Sequence, residues 1–379
     1  MAYYFLFPEK DATIYSHPSR VELNSSIDEI LTISHEQHIT SASRYPSRIL
    51  IKFNSDEIVS IIDSKVTGEF SASLNLYSTE HQNLALDKNF EVFPLYQDFN
   101  NGTGRFQNNP ITSDGVSWKY RDNSTTQTAW KSTDFAGTRA TASYSGSSIG
   151  GGAWYTGSGF MVTRSYGYGD ELDLSFNITS PVLKHYSSSK FSTGYPNGIT
   201  NHGFILKRSQ SQEFDGLDNG TLNFFSLDTH TIYPPYLNIS WDDSIYDSSS
   251  FSEDKIKKTG ECYVTLRNNK AEYKNIEEKK FRLNVRPLYP TRKFVTSSNF
   301  LDTHYFTSKS FYSLEDYATE EVIIPFSSHS KLSADSEGMY FNLLMNGLQA
   351  ERYYKLLFKH ENEDGITVYD DNYYFKIIK

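Results

Sequence analysis

The sequence predicts an all-β protein built from two domains of stacked sheets, and three observations carry that prediction. Its 379 residues include 28 Tyr, 26 Phe and 4 Trp, 15% of the chain, and rings of this kind suit a pleated, half-buried surface. Short runs with period-two alternation recur from end to end, separated by Asn, Gly, Ser and Pro clusters that supply turns. Helical spacing is confined to Ser55–Ile62 and Ser313–Ala318. Many short strands with almost no long helix is the pattern of sandwiches, barrels and jelly rolls. The hydrophobic fraction, 37%, is low, but disordered chains lack such rings, so the chain folds.

Taken in order, the first strands are Arg48–Phe53 (RILIKF) and Ala72–Tyr77 (ASLNLY), where Leu74 and Leu76 alternate with polar neighbours. Asn89–Leu95, Leu172–Ile178, Phe204–Lys207, Leu222–Ser226 and Tyr236–Trp241 follow. The segment Gly137–Gly169 breaks the pattern with three consecutive glycines at 150–152 and the rings Trp154, Tyr155, Phe160, Tyr166 and Tyr168. It reads as a long loop with exposed rings, a candidate contact for a partner. Asp242–Lys258 is polar and charged, as a linker should be. The expected boundaries are therefore a first domain at 1–245, a linker at 246–258 and a second domain at 259–379.

Alternation resumes with Glu261–Leu266, Lys280–Arg286, Glu321–Phe326, Met339–Leu343 and Tyr369–Ile378. In GLQAERYYKLLF (347–358), Leu348 lies six residues before Tyr354, and Tyr354, Leu356 and Phe358 share one strand face. That spacing suits a tyrosine corner, a buried ring whose hydroxyl bonds back to upstream backbone in Ig-like sandwiches. An aromatic strand after a turn is the alternative, but the Gly-Leu turn and the strand both fall where a corner needs them, and the corner is preferred.

The residues imply no catalytic site, metal or cofactor. The ten histidines are scattered, with only His35 and His38 close in sequence, and no His-x-His pair occurs. No nucleophile elbow in strand-turn-helix context, phosphate loop or dinucleotide fingerprint is found. Asp242-Asp243 and Asp370-Asp371 read as solvated turn residues rather than glycosidase carboxylates. The loop Asp215-Gly-Leu-Asp218-Asn-Gly220 has oxygen ligands but lacks the later acid of a calcium loop. Cys262, the one cysteine, rules out an internal disulfide and reads as a small core residue. A net charge of −10 disfavours nucleic-acid backbones, and no apolar run is long enough to cross a bilayer. The apolar N-terminal MAYYFLFPEKDATIY lacks the basic start and cleavage site of a signal peptide, and the six N-x-S/T sequons follow from the abundance of Ser, Thr and Asn.

DATIY at 11–15, RILIKF at 48–53 and ASLNLY at 72–77 together resemble the opening of DNRLRE-type β-sandwich domains. FEVFPL at 90–95, Trp118 and Trp130 as spaced anchors, the strand at 172–178 and NHGFIL at 201–206 keep the same order. FFSL at 224–227 before YPPYLNISW at 233–241 is similar to that family's closing pair. The likeness covers about residues 11–241 and implies a large, jelly-roll-like β-sandwich followed by a smaller Ig/fibronectin-III-like one. The glycine-aromatic insertion departs from the pattern, so no binding role there is implied.

With its Ig-like end, the chain resembles virion structural proteins of tailed bacteriophages, particularly those of cyanobacteria. This implies a non-enzymatic tail, neck or baseplate component, made in the bacterial cytoplasm and residing in the virion. Its partners would be other virion proteins, met in several symmetry-related copies, with no nucleic acid and no membrane. The alternative is a carbohydrate-binding module for host surface polysaccharide, which needs a row of coplanar exposed rings.

Overall fold

A computed structural model describes residues 2–37, 43–82, 87–105, 112–130, 139–143, 149–167, 169–189, 198–247, 256, 262–289, 303–362 and 364–379. The chain divides into two compact units, Tyr3–Trp241 and Asp242–Lys379. Both are β-rich, with antiparallel sheets apart from the parallel pair β19–β26 and, among the described residues, no barrel.

The first unit opens with β1 (Ala2–Leu6), β2 (Pro8–Tyr15), β3 (Ile30–Ile33), β4 (His35–Gln37), β5 (Arg44–Phe53) and β6 (Phe70–Leu76). Next come β7 (Ser78–Gln82), β8 (Lys88–Pro94), β9 (Tyr120–Asp122), β10 (Thr128–Ala129), β11 (Arg139–Ser143) and β12 (Ile149–Tyr155). It closes with β13 (Val162–Tyr166), β14 (Leu174–Asn177), β15 (Phe204–Arg208), β16 (Thr221–Phe225) and β17 (Tyr236–Trp241). Its helices are α1 (Ser55–Ser64), α2 (Thr179–Ser189) and α3 (Gln210–Glu213).

The central sheet runs β13-β8-β15-β5-β2, with β4 added on β5. It is buried on both faces, which is why RILIKF is apolar nearly throughout. Ala12, Ile14, Leu50, Phe93 and Ile205 share one core with Trp118, Trp130 and Trp154, while Ile49, Ile51 and Phe53 on the opposite face are equally buried. Two smaller sheets, β1-β17-β6-β14 and β3-β16-β7, each bury one face and expose the other. α1 matches the helical spacing, its start held by Asn54, whose side chain accepts from the amides of Asp56 and Glu57.

The second unit is a sandwich of β18 (Cys262–Arg267), β19 (Glu272–Lys274), β20 (Glu278–Pro287), β21 (Ser310–Asp316), β22 (Val322–Ile324), β23 (Ser333–Asp335), β24 (Gly338–Leu344), β25 (Tyr353–Asn362) and β26 (Gly365–Ile378). One sheet runs β18-β20-β24-β23 and the other β19-β26-β25-β21-β22. Residues from both sheets meet in one core that includes Val264, Phe281, Phe341, Leu314, Leu356 and Phe375.

Three expectations need correction. Ser313–Ala318 is not helical: Tyr312 and Leu314 alternate inward on β21, which pairs with β25 and β22, so cross-strand pairing overrides the local helical spacing. Gly137–Gly169 is not one long loop, because β11, β12 and β13 lie within it. The division between units falls at Trp241/Asp242, not after residue 245. Of the expected linker, Tyr246, Asp247 and Ile256 are described. Tyr246 bridges Ala334 and Ile256 is buried in the second unit's core.

Candidate functional site

The rings expected on an exposed loop are mostly turned inward. Trp154 is 5% and Tyr166 6% exposed, Tyr155 and Phe160 are half-buried, and Tyr168 lies outside the described residues. The cause is Arg48, fully buried on β5 with its guanidinium 4.5 Å from the Trp118 ring and 5.1 Å from that of Trp154. Its Nη1 donates to the Gly151 carbonyl at 2.5 Å. A Cβ on Gly151 would sit 2.6 Å from the Trp118 ring and 2.7 Å from Arg48 Nη1, and φ of +78° adds backbone strain for any other residue. The glycines thus let the chain lie flat over the arginine and deliver Trp154 to the core. Tyr155 stacks on Phe160 at 5.3 Å, and Lys184 of α2 covers Phe160. The described rings of the segment pack on their own unit.

Arg48 also pairs bidentately with Glu213, both contacts 2.7 Å, and Lys207 joins Glu213 at 3.3 Å and Glu91 at 3.2 Å. On the other sheet face the oxygen-bearing loop 215–220 closes around Arg208. Nη2 of Arg208 donates to the carbonyls of Asn219 (2.6 Å) and Gly220 (3.0 Å). Asp215 accepts from its own loop, from the Leu217 amide and from Asn219 Nδ2. The cation these oxygens surround is a guanidinium, whose pKa burial lowers to about 10. Among the described residues no group of three or more His, Cys, Asp or Glu is placed to hold a metal. Asp11, on the same sheet face as Arg208, accepts from the Leu227 amide at 2.7 Å, and burial raises its carboxyl to about 7.

The exposed aromatic surface lies elsewhere. Six rings make an unbroken chain over the outer face of the β1-β17-β6 region: Tyr3 to Phe5 (5.1 Å), Phe5 to Tyr236 (5.1 Å), Tyr236 to Tyr77 (5.8 Å), Tyr77 to Tyr233 (5.1 Å) and Tyr233 to Phe225 (6.0 Å). Tyr3, Phe5 and Tyr233 are 55%, 45% and 44% exposed. The row exists because β17 alternates: Leu237, Ile239 and Trp241 point into the core, which sends Tyr236, Asn238 and Ser240 outward. Opposite them on β6 stand Asn75, Ser73 and Ser71, and beyond these Ser175 and Asn177 of β14. All these outward side chains are uncharged. The rings are not coplanar, however, since Phe5 stands at 85° to Tyr236 and Tyr77 at 64° to Tyr233.

Sequence reasoning missed this row although its residues were in view. In sequence AYYFL reads as an apolar stretch near the start and YPPY as the approach to a strand. Neither segment alone shows which rings share a face.

In the second unit Tyr354 is 3% exposed; its hydroxyl accepts from the Gln349 amide at 2.8 Å and donates to the Gln349 carbonyl at 3.2 Å, with Leu348 buried nearby. Tyr317, Tyr353 and Tyr374 form a smaller exposed group, with Tyr374 at 5.5 Å from Tyr317 and 6.4 Å from Tyr353. Cys262 is buried with its sulfur 2.6 Å from the Tyr369 hydroxyl. Asp242 pairs with Lys331, and Asp370 with Lys355.

No family model and no curated protein matches the chain. Among solved structures it is similar to a DUF4785 family protein of Legionella pneumophila (9% identity, TM-score 0.19) and to a β-glucuronidase of Parabacteroides merdae (10% identity, TM-score 0.16). Each alignment covers 98% of this chain, which spans 66% of the first protein's length and 36% of the second's. At these TM-scores neither likeness bears on fold or function.

Proposed function

We propose that the chain is a non-enzymatic structural component of a tailed-bacteriophage virion, associated with tail, neck or baseplate and acting through protein–protein interfaces in several symmetry-related copies. The observation that carries this reading is the ring-rich outer face of the first unit, whose outward residues on β17 and β6 are uncharged, on a chain whose net charge is −10. Interface centres are depleted of charge and enriched in Tyr and Phe, and contiguous exposed apolar surface of this kind marks association. The inclination of the rings favours a protein partner: tilted rings offer edges and pockets to interdigitating side chains, whereas a flat glycan needs a common plane. Burial of Arg48, Lys207 and Glu213 supports the same reading, because these groups pair with one another inside the sheet core. The ordered likeness of residues 11–241 to DNRLRE-type domains, and the Ig-like end, supply the virion setting.

The test is assembly. A chain carrying Phe5→Ser and Tyr236→Ser is expected to melt close to the unsubstituted protein yet to be lost from purified particles. Incorporation at the unsubstituted copy number, or fully infective particles made without the chain, would overturn the reading.

A further inference from the structure

We infer that the first unit also carries a binding site for a neutral sugar residue, in a cleft between β3, β16 and the segment joining β2 to β3. The site goes beyond the protein-partner reading and does not depend on it. The cleft has a volume of about 420 Å³, within the roughly 300–1,000 Å³ of small-molecule sites. It is built by alternation. Leu31 and Ile33 of β3 and Leu222 and Phe224 of β16 point into the core, so Ile30, Thr32, Thr221 and Asn223 face outward. The antiparallel register sets Asn223 opposite Thr32, whose hydroxyl donates to Asn223 Oδ1 at 2.9 Å. That bond leaves the Asn223 amide hydrogens directed to the opening, without another partner among the described residues. Arg20 crosses the far wall, held by Glu36 at 2.9 Å, and Asp28 lies beside it.

This lining selects its ligand by what it rejects. An anion that approaches Arg20 meets Asp28 and Glu36, and a cation meets Arg20 itself. A polyol suffers neither penalty, because each hydroxyl both donates and accepts. The carboxylates accept from it, while Arg20, Thr221 and Asn223 donate to it. Ile30, which lines the cleft with the largely buried Tyr15, gives an apolar patch for the C–H face of a pyranose. Phe225, last ring of the aromatic row, pairs with Ile30 in register, so the cleft lies beside the end of that row.

The experiment is saturation-transfer NMR and calorimetric titration of the full chain with methyl glucoside, methyl galactoside, methyl mannoside, maltose, cellobiose and lactose. Glucuronate and glucosamine serve as charged controls. Saturable binding of at least one neutral sugar is expected, weakened about tenfold by combined Thr221→Val and Asn223→Ala, a loss equivalent to about 1.4 kcal/mol. Phe5→Ser, which disrupts the protein-facing row, should leave this affinity unchanged, so the two proposals fail separately. Three outcomes overturn the inference: no saturable binding by any neutral sugar, binding confined to a charged control, or affinity unmoved in a Thr221/Asn223 variant whose melting is also unmoved.

Discussion

The two units solve the same problem, filling the space behind a sheet, with opposite chemistry. In the first, Arg48, Lys207, Arg208 and Glu213 are at most 2% exposed and lie beneath Trp118, Trp154 and Phe90. The second fills its centre with rings: Phe341 stacks on Tyr312 at 4.2 Å and on Phe281 at 5.1 Å, and Phe281 meets Tyr273 and Phe375. Its ion pair of Arg282 with Asp335 stays partly exposed. A ring core is forgiving, since packing energy is spread over many weak contacts. A buried charged core depends on each partner being present, because one missing carboxylate strands its cations in a low dielectric.

The sharpest way to break that contrast is Glu213→Ala. It leaves Arg48 without the carboxylate it pairs with and Lys207 with Glu91 alone, so the first unit is expected to lose about 4–5 kcal/mol. Calorimetry should show its transition falling while the second unit's stays in place. Phe341→Ala is the counterpart in the ring core, with an expected loss of about 3–4 kcal/mol confined to the second transition. An equal drop in both transitions for either variant would contradict the division into separate cores.

The units should also part company in acid. Burial holds His185 of the first unit down at about 3 and His360 of the second at about 4. Each is neutral when folded and protonates below about 6.5 when unfolded, so each subtracts stability as pH falls from about 6.5 towards its folded value. Asp11 acts in the opposite sense. With its folded pKa raised to about 7, its native state keeps a proton that the unfolded chain has released, so its contribution is present below about pH 4 and lost as pH rises to 7. In the first unit Asp11 therefore offsets part of the loss that His185, His35 and His202, all held down by burial, impose between pH 6.5 and 4. Asp11→Asn should remove that offset, as melting followed at each pH would show. The smallest effect expected is for Tyr354→Phe: loss of the two hydroxyl bonds to Gln349 should lower the second transition by about 1 kcal/mol, measured by urea unfolding. A loss above about 3 kcal/mol would mean the ring itself had moved.

Much of the strand content was legible because period-two alternation is written locally. Tyr236–Trp241 and the face shared by Tyr354, Leu356 and Phe358 were read directly from spacing, and burial follows them. Where a run needed a distant partner, the reading failed. Ser313–Ala318 has helical spacing until β25 and β22 flank it. Trp154 looked exposed among glycines because nothing nearby in sequence announces Arg48, more than a hundred residues upstream, as the group those glycines make room for. α2 escaped notice because its apolar side chains are few and its burial comes from packing on α1 and β6.

The sequence by itself determined that this chain would be ring-rich, acidic and all-β, and which residues of most strands would point the same way, because side-chain direction along a strand depends only on position parity. Which of two faces is covered, which rings join into a row and which charges end up paired depend on strands far apart in the chain. Tyr3, Tyr77 and Tyr236 became one surface through sheet order, and Arg48 and Glu213 one ion pair through the fold of the central sheet. Those outcomes arise from non-local pairing, which no short window of residues encodes.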